Sequence, residues 1–192
     1  MTGDYEVYVL LTDTGTLFSR TIRFFTKDAL NHVSIAFDRE LNDVYSFGRK
    51  NQSNPFFAGF VKEDLRGVLF QHTMCSLYKC TVSPAAYKDI RNRIKQMEQN
   101  SDLYKYNLLG MMCVAFKIQL ERERAYFCSQ FVASIFKENG VNIFDKPPLF
   151  VKPGDFQHTT KLELLYHGKL RTYMGIDKSL LKTAAESSFQ TA

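Results

Sequence analysis

Tryptophan is absent from this chain of 192 residues, and cysteine, histidine and proline are scarce, at four, four and five residues. The cysteines, Cys75, Cys80, Cys113 and Cys128, are too few to staple a chain of this size, so they read as reduced thiols of a cytoplasmic protein. No apolar run approaches a membrane span. Met1 to Glu6 is acidic and polar where a secretory signal would be basic and then apolar, which points the same way. Glycine-rich phosphate motifs are missing, as are internal repeats and low-complexity linkers. The net charge of +5, from 25 basic and 20 acidic residues, is spread along the chain. Without a dense basic block, nucleic-acid binding is not expected. His72, Cys75 and Cys80 cluster, but no second Cys/His pair at ligand spacing accompanies them, so neither a metal nor a cofactor is expected.

What remains is an ordinary globular composition, 45% hydrophobic and 23% charged. Its length suits one domain over residues 1–175, with a tail over 176–192. Glu6 to Thr12 reads as a buried strand, Thr16 to Thr26 as a short helix and Lys27 to Asn31 as a loop. Val33 to Phe37 and Val44 to Gly48 read as a hairpin around a polar turn. Val33, Ile35 and Phe37 face one side of it. His32, Ser34, Ala36 and Asp38 face the other, and His32 and Ser46 would share a shallow small-residue face on which a helix can dock. Lys50 to Gly59 is loop-like, followed by one or two strands within Gly67 to Val82. Ser83-Pro84 opens a helix carrying Tyr87, Ile90, Ile94 and Met97 at helical spacing. Further helices are expected over Asn107 to Gln119 and from the Ala125 stretch to Asn139-Gly140. Pro147 to Asp155 forms a rigid loop, and Lys161 to Met174 one or two edge strands.

The stretch Ala125 to Phe136 carries Cys128 in the first turn of an apolar helix. The free N–H groups and positive dipole end of such a helix favour an anion, hence a thiolate, and can stabilise an oxyanion. A lone helix cysteine is usually a small core residue. His32, which also begins an element, supplies the imidazole that cysteine chemistry needs. His158 and His167 read as surface residues.

Asn31 to Asp38 (NHVSIAFD), Val44 to Gly48 (VYSFG), Tyr106-Asn107 and Tyr126 to Val132 (YFCSQFV) resemble the permuted NlpC-type papain-like cysteine hydrolases. The YiiX/YebB-like branch is nearest, and lecithin:retinol acyltransferase is a more distant relative. The similarity spans Glu6 to Asp155 and includes Pro153-Gly154-Asp155, and histidine precedes cysteine as the permuted order requires. It implies an α+β fold, a small antiparallel sheet packed against a helical layer. It also implies Cys128 as nucleophile and His32 as the base that later protonates the leaving group. The family's third polar residue, usually Glu, Gln or His, falls on Ser46. A serine orients imidazole but brings no charge, which leaves weaker catalysis, a water-bridged contact or an orienter elsewhere. The Cys128 N–H is the candidate oxyanion donor, with the Tyr126 and Tyr45 hydroxyls as unplaced second donors.

The activity so implied is amide or peptide hydrolysis through a Cys128 thioester, on a small peptide, a recycled wall fragment or another amide. Phe56, Phe57, Phe60, Met111 and Met112 would suit an acyl chain, so a lipid acyl hydrolase or acyltransferase is the alternative. A domain that keeps the fold for binding is the third. Glu121 to Arg124 reads as a solvated turn whose arginines stand near the cleft mouth. Oligomeric state does not follow from the sequence.

Overall fold

Burial on both faces explains why the first strand lacks alternation. In β1 (Tyr5–Thr12) every residue from Val7 onward is buried, and a strand covered on both sides reads as one continuous apolar run. The computed structural model describes residues 3–13, 30–50, 58–107 and 123–176. Among them β1 pairs with β2 (His32–Ala36) on one side and β5 (Met74–Val82) on the other. Outward from β2 follow β3 (Val44–Arg49), β4 (Ala58–Lys62) and the two-residue strands β6 (Lys105–Tyr106) and β7 (Ala125–Tyr126). Outward from β5 lies β8 (Glu163–Lys169). The eight-stranded order is β7-β6-β4-β3-β2-β1-β5-β8. All pairings are antiparallel except β6 with β7. The class is α+β, but the sheet is larger than the small one expected. The short strands β6 and β7 have no room for periodicity, and β4 lies in a stretch whose start had read as a loop.

Four α-helices belong to the described residues: α1 (Pro84–Gln99), α2 (Cys128–Glu138), α3 (Asp155–His158) and α4 (Leu170–Tyr173). The start of α1 is the expected one: the Ser83 hydroxyl accepts the Ala86 N–H at 3.2 Å and proline follows it. The short helix expected over Thr16 to Thr26, the bulk of that over Asn107 to Gln119, and Phe56, Phe57, Met111, Met112, Cys113, Glu121 and Arg122 lie outside the described residues. So does the tail beyond Ile176.

The sheet has a core on each face. On one, Val7, Val9, Val33, Ile35, Tyr45 and Phe47 meet Ile90, Ile94 and Met97 of α1 and Phe131, Val132, Ile135 and Phe136 of α2. On the other, Tyr8, Leu10, Ala36, Val44 and Leu77 are covered by Leu41, Leu65, Phe70 and Leu170. The cysteine helix therefore docks on the large-residue face, with the Phe47 and Phe131 rings 5.1 Å apart, and not on the small-residue face expected for it. Large apolar side chains remove more surface from water than a serine-lined face does, and the small face is occupied by a polar cluster.

Candidate active site

Cys128 is the first residue of α2, and Phe127 before it is extended. The N-terminus is held by the Gln130 side chain, which reaches back to accept the Phe127 N–H at 3.4 Å. Phenylalanine cannot return the bond, so Cys128 follows half a capping box. The parallel pair β6–β7 places Tyr106 opposite Tyr126, and the Asn107 N–H bonds the Tyr126 carbonyl at 2.9 Å. That ladder brings the Tyr106 hydroxyl beside Cys128, next to the thiol and with the Cys128 backbone N–H directed at the phenol oxygen. Burial first, and then the neighbouring cysteine, push the Tyr106 pKa well above its ordinary value. The phenol therefore keeps its proton as a donor.

His32 opens β2 and its ring lies beside Cys128, close enough for the two groups to interact electrostatically. The two meet although α2 packs on the opposite face, because each is the first residue of its element. Cys128 is 2% exposed and the His32 side chain 14%. His32 Nε2 lies 2.6 Å from Glu63 Oε1. With Nε2 engaged there, Nδ1 is the ring nitrogen left to meet Cys128. Glu63 follows directly on β4, and its N–H is tied to the Val44 carbonyl at 2.9 Å.

Ser46 is in the cluster, but its hydroxyl donates to Glu63 Oε1 at 2.6 Å, and Ser34 donates to Oε2 at 2.8 Å. The group that meets His32 is thus a carboxylate from the next strand, which sequence reasoning did not name. A signal was present. Val61 pairs with Ser46 across the ladder, and alternation carries Glu63, two residues on, to the same face. Four residues, Val61-Lys62-Glu63-Asp64, are too few and too polar to announce the end of a strand by alternation alone.

Charge follows from this geometry. Burial opposes the charged form of His32, but the Glu63 charge, the neighbouring Cys128 and the hydrogen bond to Glu63 outweigh it and push its pKa up to about 10. Burial likewise raises Glu63, yet His32, Ser46 and Ser34 together hold it below the usual carboxylate range. At neutral pH the pair is imidazolium and carboxylate.

The other sequence candidates lie elsewhere. The Tyr45 hydroxyl bonds Asp43 and that of Tyr126 bonds Arg93, so Tyr106 stands where they had been considered. Phe60 is a core residue, 2% exposed and stacked on Tyr45. Cys75 and Cys80 belong to the cores on opposite faces of the sheet, so they do not converge with His72. Among the described residues no three metal-ligating side chains gather, and no helix is long and apolar enough to cross a membrane. His167 accepts or donates a 2.8 Å bond with Ser76, and Asp155 receives the Lys146 ammonium and the Lys152 N–H, both at 2.6 Å. No protein-family model, curated protein or solved structure matches the chain.

Proposed function

We propose that the chain is a cysteine hydrolase. The observation that carries this is the convergence of Cys128, at a helix start, with a His32 whose far nitrogen is bound by Glu63. Nucleophile, base and orienter in that order are what thiol acyl chemistry requires. More particularly, the antiparallel sheet under the cysteine helix, and histidine ahead of cysteine in the chain, support a permuted NlpC-type papain-like enzyme working on amides.

In this mechanism the Cys128 thiol proton resides on His32 Nδ1, and the sulfur attacks the substrate carbonyl carbon. The negative charge that develops on oxygen takes the Cys128 N–H over from the Tyr106 oxygen and meets the Tyr106 hydroxyl as its second donor. His32 then gives its proton to the leaving nitrogen as the C–N bond breaks, leaving a thioester. Water adds to the thioester with its proton passing to His32, and the acid leaves as the C–S bond breaks, which restores the Cys128 sulfur beside a His32 that holds the proton. A Glu63 carboxylate at His32 supports this reading, because it supplies the charge that a serine lacks. That favours turnover over a purely binding role, and Phe60 in the core removes part of the support for an acyl-chain pocket.

Intact-mass analysis after incubation with dipeptide p-nitroanilides and short-chain p-nitrophenyl esters tests the proposal. An acyl adduct on Cys128 with amide turnover, both lost in Cys128→Ser, is expected. A folded protein that shows neither adduct nor turnover with any member of either set would overturn it, and adducts from esters alone would favour the acyl-hydrolase alternative.

A further inference from the structure

The structure assigns Ser34 and Ser46 a joint role as positioning residues: their hydroxyls keep Glu63 a carboxylate and so hold the proton of the His32–Glu63 bond on His32 Nε2. This rests on reading His32 as the base for Cys128. Ile35 pairs with Tyr45 across the ladder, and Ser34 and Ser46 stand one step beyond on the shared opposite face. Both serines are fully buried.

Ser46 and His32 share Glu63 Oε1, each at 2.6 Å, and Ser34 takes Oε2 at 2.8 Å. A hydroxyl bond to a carboxylate is stronger than one to a neutral acid, so each serine favours the anionic form. If the proton crossed to Glu63, both bonds would weaken, and at these buried positions the loss is not made good by bulk solvent. With the proton fixed on Nε2, Nδ1 is free to exchange a proton with Cys128. With it on Glu63, a neutral ring could bring only a protonated Nδ1 toward Cys128, the wrong tautomer for a base. Among the described residues, the titratable groups facing His32 are Glu63 and Cys128, and Tyr106 in turn stands beside Cys128.

The test is 15N–1H NMR of histidine-labelled protein, with His32 assigned by the signal missing in His32→Gln. In the native protein, Nε2 should show a directly bonded, strongly downfield proton. In Ser46→Ala the one-bond coupling at Nε2 should fall, and its nitrogen shift should move toward that of an unprotonated nitrogen. Ser34→Ala should do the same to a smaller extent, since Ser34 lies on the other oxygen. Iodoacetamide alkylation of Cys128 should slow by roughly tenfold in Ser46→Ala, the scale of one lost hydrogen bond to a charged group. Nε2 signals unchanged in both folded single variants would overturn the assignment. A native Cys128 that resists iodoacetamide would instead overturn the hydrolase proposal, and the NMR result would still report where the proton lies.

Discussion

Replacing Glu63 by Gln keeps the shape of a buried side chain and removes its charge. Glu63 is 7% exposed and holds His32 at 2.6 Å, and losing one partner of such a pair costs about 3–5 kcal/mol. The His32 rise from 6.5 to about 10 corresponds to at most about 5 kcal/mol, counted once for the pair. His32 titrates higher when folded than when unfolded, so its contribution is complete below pH 6.5 and is lost as pH climbs through about 10. Glu63 titrates lower when folded, so its contribution is present above its ordinary 4.5 and is lost as pH falls through the folded value. The pair therefore stabilises most between these two ordinary values. Urea denaturation at about pH 6 and about pH 10 reads the effect. Glu63→Gln should be less stable by about 3 kcal/mol at the lower pH, with a midpoint some 6–12 °C lower on heating. The native protein should lose that advantage at the higher pH, since the other titrating groups are common to both chains. Parallel stability curves for the two proteins would refute the ion pair.

Other positions give independent checks. Phe47 is fully buried against the rings of Phe60, Tyr104, Tyr126 and Phe131, so Phe47→Ala should cost about 3–5 kcal/mol by urea denaturation. Gly59 passes so close to Tyr104 that a Cβ would press into the Tyr104 carbonyl oxygen. Gly59→Ala should therefore destabilise the β4–β6 junction, visible as faster amide exchange there, although the same exchange at an open glycine would improve stability. Burial pushes the Cys75 and Cys80 thiols up to about 12 and about 11. Neither should react with a thiol reagent at neutral pH until urea unfolds the chain, which a peptide map would show.

The parts of the site legible in the sequence are those that local pattern specifies. Strand alternation placed His32 and Ser46 on one face, and the cysteine announced itself by standing where a charged run gives way to helical periodicity. Ser83-Pro84 marked the start of α1 through capping chemistry alone. What was not legible depends on partners distant in sequence. Glu63 reaches His32 only because β4 pairs with β3, and β4 opens in a stretch that had read as a loop. The docking face of α2 is not legible because small residues suggest room for a helix, whereas the room is filled by the Glu63 carboxylate and the helix follows the larger apolar area around Phe47. Tyr106 carries no role in the sequence pattern, because its position comes from a two-residue parallel ladder too short to leave a periodic signal.

The most direct measurement is the rate of Cys128 alkylation by iodoacetamide against pH, for the native protein and for His32→Ala, with the modified residue located by mass spectrometry. A reaction at Cys128 that is rapid at about pH 6 and collapses in His32→Ala would establish the working thiol–imidazole pair. A Cys128 that stays silent in the folded protein, or reacts equally fast without His32, would contradict it.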